Sequence, residues 1–241
     1  MSRRVTDQQI VDSLLDAYRL GAFPMGDPRT GRVDFYAPDP RGVLPLTEAE
    51  GFHVPRRLAR RIGQRPFEIR CDTAFENVIR GCATPRKRYP GHDADDDTWI
   101  TGTIVHWYTL LHRAGRAHSI EAWARDEATG EEALVGGLYG VALGGAFFGE
   151  SMFSVPRARR ADGSRDPLDG TDSSLICLVT LVEHLHACAF TLFDTQMVTN
   201  VVARVGGVEI SREEYLARLR PAAERSDCWR PLPGAVRATR D

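Results

Sequence analysis

Apolar residues recur along this chain at two different periods, and the switches between them outline its elements. Ile10, Leu14, Ala17 and Tyr18 stand at helical spacing, which predicts a helix over residues 6–20 with Thr6 or Asp7 as N-cap and Gly21 just past the end. Phe23-Pro24 through Pro28 breaks that pattern, residues 33–36 read as one short strand, and Pro38 and Pro40 follow. A basic helix is expected over residues 55–62 and a strand over 67–71. Thr73 with Glu76 reads as a capping box opening a helix through Ile79, closed by Gly81. Residues 84–97, charged and proline-containing, read as a long loop. After Trp99, the stripe Ile104, Tyr108 and Leu111 predicts a helix ending at Gly115. Residues 119–124 and 133–142 then read as strands joined by a polar Asp-Glu-Ala-Thr-Gly turn. Two apolar runs, 138–143 and 146–148, flank Gly144-Gly145 and predict a hairpin whose turn needs positive φ. Gly136, Gly137, Gly140 and Gly149 within these strands mark a bulge or a backbone that something approaches closely. Leu175, Leu178, Val179, Val182 and Leu185 make a helical stripe capped near Asp172 or Ser173, leading into a strand over residues 190–196. Ser211-x-x-Glu214 opens a last helix, and the tail from Pro221, with Trp229, packs over the surface. Helices, a meander, a helix and a returning strand define an α+β protein. The proline- and glycine-rich stretch up to Pro45 suggests a small N-terminal domain over residues 1–50 and a larger one over 51–241.

Composition narrows the class. A hydrophobic share of 42% in 241 residues is that of a globular protein with a sizeable core. The most apolar stretch, residues 175–193, is broken by Glu183, His184 and His186, so no membrane segment is expected, and the N-terminus shows no apolar signal core. The expected compartment is the cytoplasm. Five cysteines without a Cys-x-x-Cys pair argue against a disulfide framework or a zinc knuckle. His184 and His186 are too close in sequence to share a helical face, and no His-Glu-x-x-His occurs, so no metal is expected. The net charge of −2 hides three basic clusters: Arg56, Arg57, Arg60, Arg61 and Arg65; Arg86, Lys87 and Arg88; and Arg157, Arg159 and Arg160. Each alone reads as a solvated face. Three on a near-neutral chain suggest a localised phosphate-binding surface.

Three polar residues stand in apolar company and could carry chemistry. Glu150 ends an apolar strand, and strand periodicity sets Asp194 and Gln196 on one face. An acid in such a place either pairs structurally or faces a substrate. The functional reading has the Asp194 carboxylate orient the Gln196 amide, whose oxygen accepts an N–H from an attacking amine. A neutral amide is too weak a base to hold that proton, so Gln196 would be a positioning group. Trp99, Tyr108, Leu138, Phe147, Met152, Phe153, Leu181 and Leu185 are core by default. Some could instead wall an apolar pocket with Met152 as adaptable filler, and Trp99 could stack on an unpaired base.

Gly-Gly-Leu-Tyr-Gly-Val, Phe-Gly-Glu-Ser-Met-Phe-Ser and Phe-Asp-Thr-Gln, in this order and with a helix before the last, resemble the leucyl/phenylalanyl-tRNA–protein transferases. The resemblance extends over nearly the whole chain, through Tyr18-x-x-Gly21-x-Phe23-Pro24, Pro38-Asp39-Pro40-Arg41, Thr98-Trp99-Ile100 and His118-Ser119-Ile120-Glu121. It implies a small N-terminal domain and an acetyltransferase-like (GNAT-like) mixed sheet with flanking helices. It implies transfer of leucine or phenylalanine from aminoacyl-tRNA to the N-terminal Arg or Lys of acceptor proteins, marking them for degradation. By motif, Asp194 and Gln196 become the catalytic pair and Glu150 a substrate-orienting acid. Tyr18, Trp99, Tyr108, Leu138, Phe147, Met152, Leu181 and Leu185 become substrate contacts. Arg86, Lys87, Arg88, Arg157, Arg159 and Arg160 become candidate tRNA contacts, in a protein expected to be a monomer without cofactor. The sequence departs from the family pattern at Met25, at Leu175, at residues 201–207 and in a longer loop over 157–170. Two rivals stay in view: an acyl-CoA-dependent N-acetyltransferase, although no Arg/Gln-x-x-Gly-x-Gly/Ala loop is found, and a non-catalytic RNA-end binder.

Overall fold

The sheet grows outward from a hairpin that two glycines make possible. Strand β6 (Glu132–Leu143) turns back into β7 (Ala146–Ser154) through Gly144-Gly145, and Gly144 takes φ +58°, open to glycine at no steric cost. A side chain there would also strike the carbonyls of Ala222, Ala223 and Arg225. The computed structural model describes residues 5–84 and 98–232. Within them, helix α1 is Asp7–Arg19, capped by Thr6 and Gln9 in a reciprocal capping box, and α2 is Arg56–Gly63. Helices α3 (Phe75–Ala83), α4 (Gly102–Arg113), α5 (Ser173–Ala187), the short α6 (Asn200–Ala203) and α7 (Arg212–Ala223) follow. Strands β1 (Phe23–Gly26) and β2 (Val33–Tyr36) form a separate two-stranded sheet. Strands β3 (Arg41–Val43), β4 (Glu68–Cys71), β5 (Ala117–Arg125), β8 (Leu192–Gln196) and β9 (Val208–Ile210) join β6 and β7 in a seven-stranded sheet of order β4-β5-β6-β7-β8-β3-β9. All its pairings are antiparallel except β7 with β8.

Alternation along the strands feeds two apolar clusters, one on each face. Ile120, Leu138, Phe147 and Phe193 pack on one side with α5, while Tyr139, Val141, Phe148 and Phe153 pack on the other with α1, α3, α4 and α7. The mixed α+β architecture read from the sequence is therefore present. Residues expected to form the N-terminal unit occupy three places: α1 shares the second cluster, β1 and β2 pair with each other, and β3 lies inside the large sheet between β8 and β9. Strands β1, β3 and β9 and helix α6 were not expected. The three strands are only 3–4 residues long, too short to show a period. Helix α7 runs through Pro221 to Ala223, beyond the residue expected to start the tail. Trp229 does pack over the molecule, its ring lying 4.0 Å from that of His118 and nearly parallel to it. No helix among the described residues is long and apolar enough to cross a membrane.

One expected motif is replaced by a stronger device. The Thr73–Glu76 capping box does not form. Helix α3 starts at Phe75, and the fully buried Glu121 of β5 accepts from Thr73 N (2.9 Å), Ala74 N (2.8 Å), Ser119 Oγ (2.8 Å), Trp123 Nε1 (3.1 Å) and the Thr73 hydroxyl. A carboxylate brings a full charge to the positive end of the helix and so outcompetes a hydroxyl cap. An amide in its place would turn an NH₂ toward this ring of donors. Glu121→Gln should therefore destabilise the protein by about 2–3 kcal/mol, read as a lower urea midpoint at unchanged m-value, and a midpoint equal to the parent's would refute the role.

Candidate active site

Strands β7 and β8 start as neighbours and then separate. Their parallel pairing covers Ala146↔Leu192, Phe147↔Phe193 and Phe148↔Asp194, after which β7 continues on β6 and β8 continues on β3. The opening between them is edged by Glu150 on one strand and by Thr195 and Gln196 on the other. Both lips are irregular. In β7, Tyr139 opposes Ser151 and Gly140 opposes Gly149, so Glu150 is the extra residue of a β-bulge. Period-two alternation sets Glu150 on the same side as Phe148, toward α1 and α4, and the bulge shifts the alternation beyond it, so that Met152 faces α5 and Phe153 the opposite cluster. In β8, the register against β3 shifts between Asp194 and Gln196, and Gln196 takes φ +58°. The left-handed region is sparsely used by residues with a Cβ and is held only where the surroundings fix it.

On the β7 lip, the half-buried Glu150 meets two buried tyrosines. Tyr18 of α1 donates to Glu150 Oε1 at 2.7 Å, and the hydroxyl of Tyr108 from α4 lies 2.6 Å from that of Tyr18. Burial holds both phenols well above their ordinary value, so they remain protonated donors. For Glu150, burial is the largest influence and the charge of Asp194 adds to it. Hydrogen bonds from Tyr18 and Tyr108 and the charge of Arg41 act against them, and the carboxyl is pushed up to about 7. Such a group changes charge at neutral pH.

On the β8 lip, Asp194 and Gln196 are both buried, but the expected contact between their side chains is not made. Asp194 Oδ1 accepts from the backbone N–H of Gln196 at 2.8 Å and from Arg41 Nε at 2.9 Å. Its Oδ2 accepts from Arg41 Nη2 at 2.7 Å and from the Tyr215 hydroxyl at 2.6 Å. Four donors occupy the carboxylate, and the Gln196 amide nitrogen is buried with no hydrogen-bond partner among the described residues. Asp194 thus acts on Gln196 through the backbone. Sequence reading missed Arg41 and Tyr215. The signal for Arg41 was a lone cation opening the run Gly42-Val43-Leu44, and Tyr215 lies on the apolar stripe of its helix with Leu219 and Ala222.

The sheet divides the remaining candidates. Tyr18, Tyr108 and the half-buried Trp99 lie on the α1/α4 side with Glu150. Leu138, Phe147, Leu181 and Leu185 are buried on the α5 side, with the half-buried Met152 against them. The Phe147 ring packs on Phe190, Phe193 and Trp229, so in this structure it is a core residue. Of the basic candidates, Arg86, Lys87 and Arg88 lie outside the described residues. Arg160 pairs with Asp126 at 2.8 Å, Arg157 approaches Asp166 at 3.8 Å, and Arg159 donates to the Gly163 carbonyl. Arg56, Arg57 and Arg60 of α2 are exposed and make no ion pair among the described residues.

A carboxyl that changes charge at neutral pH and an amide stand on two strands just beyond the end of their pairing, groups of the kind that an enzyme of group transfer uses. Comparison with known proteins gives that class its family. Residues 43–220 match the family model described as leucyl/phenylalanyl-tRNA protein transferase. A protein of that name from Akkermansia muciniphila is 42% identical over 220 residues, covering 91% of this chain and 99% of its own. One from Caulobacter vibrioides is 46% identical over 217 residues, covering 90% and 87%. One from Salinibacter ruber is 40% identical over 235 residues, covering 98% and 89%. The chain belongs to the leucyl/phenylalanyl-tRNA–protein transferase family.

The raised Glu150 carboxyl has a consequence for stability. A folded-state value of about 7 against an ordinary 4.5 means that the protonated acid is the form folding favours. Its contribution is full below about pH 4.5 and is lost as pH rises to about 7. Glu150→Gln should lack this loss. Comparing urea unfolding at about pH 5 and pH 8, the parent should lose about 2–3 kcal/mol more than the variant. Equal losses would show that the carboxyl titrates normally.

Proposed function

We propose that this protein transfers leucine or phenylalanine from aminoacyl-tRNA to the α-amine of acceptor proteins beginning with Arg or Lys, marking them for degradation in the cytoplasm, and that it works as a monomer without cofactor. Family membership supports the reaction class. The observation that carries the site is the parting of β7 and β8, with Glu150 and Gln196 on its two lips. We read the sheet as acetyltransferase-like on the same ground, because an antiparallel meander, a crossover helix and a parallel strand that diverges from its neighbour make an opening for an acyl donor. Residues 1–50 are read as a small N-terminal unit whose last strand, β3, is lent to the large sheet.

The chemistry asks little of the protein beyond placement. The acceptor's neutral α-amine attacks the ester carbonyl, the new C–N bond forms, the C–O bond to the terminal ribose breaks, and the amine's proton goes to the departing hydroxyl. An aminoacyl ester is already activated, and α-amines with an ordinary pKa of about 7.7–8.0 are partly neutral at neutral pH. Alignment can therefore supply much of the acceleration. Glu150, ionised in part at neutral pH, holds the incoming amine, and the Gln196 amide, turned inward by its backbone, contacts the reacting aminoacyl end. Met152, the half-buried member of the apolar set, borders the amino-acid side chain. Trp99 offers a face to the terminal base.

Phosphate contacts are assigned first to α2. Its exposed arginines, without an ion pair among the described residues, present net charge, whereas Arg157 and Arg160 are already matched by acids. Incubation with leucyl- or phenylalanyl-tRNA and an Arg-terminated peptide should yield a peptide heavier by one residue. No product with either charged tRNA would refute the function and favour an RNA-end binder. Binding of charged tRNA should weaken as salt rises, with a log–log slope of about −0.7 to −0.9 per phosphate contact. Replacing Arg56, Arg57 and Arg60 by Glu should flatten that slope by about two to three such contacts, and replacing Arg157, Arg159 and Arg160 by Ala should flatten it less. The reverse order would move the phosphate surface to the longer loop.

A further inference from the structure

Arg41 is the largest fully buried side chain among the described residues, and the reaction described above gives it no part. All of its guanidinium nitrogens are engaged. Nε and Nη2 take the two oxygens of Asp194 in parallel at 2.9 and 2.7 Å, and Nη1 donates to the Gly21 carbonyl at 2.9 Å. The plane is flanked by the rings of Phe23 at 5.0 Å and Tyr215 at 4.6 Å. Burial works against the charge, but the hydrogen bonds and charge of Asp194 outweigh it and hold the guanidinium above its ordinary value.

Stability is a poor reason for such a pair. Two desolvated charges often contribute no more than well-packed apolar side chains of the same size. Geometry is a better one. A fork of parallel hydrogen bonds fixes the plane and rotation of the carboxylate, which a lysine or a single donor cannot do. Fixed in this way, Asp194 Oδ1 meets the Gln196 N–H at 2.8 Å in the left-handed turn that ends β8. With every acceptor site of Asp194 taken, the Gln196 amide nitrogen keeps its hydrogen-bonding capacity for something outside the protein.

We infer that Arg41 is the positioning residue of the transfer site: by locking the Asp194 carboxylate it holds the Gln196 backbone in its strained turn and so presents the Gln196 amide, unpartnered, to the aminoacyl donor. The inference rests on the reading of Gln196 as a substrate-facing group. Arg41 touches no substrate, and its influence passes through two residues.

The test separates positioning from folding. Arg41→Lys keeps the charge and loses the fork. It should lower kcat about tenfold or more while KM for aminoacyl-tRNA stays within about twofold. Arg41→Met with Asp194→Leu removes both charges together and should retain a cooperative thermal transition, yet remain as slow as Gln196→Ala. The deciding measurement is a cycle: adding Gln196→Ala to the Met/Leu pair should cost less than about twofold further, because both changes disable the same group. Multiplicative losses, or parent kcat in the folded Met/Leu variant, overturn the inference while leaving Gln196 in place. Full activity in Gln196→Ala alone overturns the reading of Gln196 and the inference with it.

Discussion

A positive and a negative charge, both without access to water, meet between β3 and β8, and the rest of the structure is arranged to make that meeting tolerable. The guanidinium of Arg41 reaches back to the turn that follows α1, and the carboxylate of Asp194 is reached by a tyrosine from α7. Stripping water from these groups costs several kcal/mol apiece, and only complete hydrogen bonding recovers it. That requirement ties four elements to one point. It accounts for a three-residue strand from the first fifth of the chain lying between β8 and β9, and for the aromatic rings of Phe23 and Tyr215 on either side of the guanidinium.

Three buried or half-buried acids show how the number of donors decides what a carboxylate does. Glu121 gathers five donors at the start of α3 and serves the fold. Asp194 gathers four, two of them from a cation. Glu150 has tyrosine hydroxyls only, with a second negative charge in range, and its carboxyl rises toward neutrality. Similar side chains on three strands of one sheet thus become a helix cap, a backbone anchor and a titrating group. The bulge at Glu150 changes the alternation after it, so that Phe153 as well as Phe148 packs on the side of the two tyrosines.

Local features of the sequence were legible where the chemistry is local. The Gly144-Gly145 turn, the N-cap at Thr6 and the Ser211 cap depend on residues within four positions of one another, and each appears where expected. The Thr73–Glu76 motif looked equally good and failed, because its competitor, Glu121, arrives from a strand 48 residues away. Asp194 and Gln196 were expected to meet through their side chains, and they meet through the Gln196 backbone N–H instead. Period-two alternation places side chains and says nothing of a left-handed residue, which turned an imagined side-chain contact into a backbone one. Arg41 was passed over for a similar reason: the partner that explains it is 153 positions distant. Flanking prolines and a run of apolar residues gave no hint of that distance.

The position of β3 also bears on how the protein comes into being. Its contacts with β8 and β9 join segments made early to segments made last, and Tyr215 completes the anchor of Asp194 from farther still. Pairings so distant along the chain close late in folding, after the nearby β5–β6–β7 meander, because a large loop must first be brought together. While the chain is still being synthesised, the hairpin bearing Glu150 can form, but the strand bearing Gln196 has neither its neighbour nor its anchor. A partly made molecule on the ribosome, surrounded by charged tRNAs and newly exposed amino groups, therefore lacks the assembled opening. The strand that carries Gln196 is thus completed only by pieces drawn from both ends of the described chain.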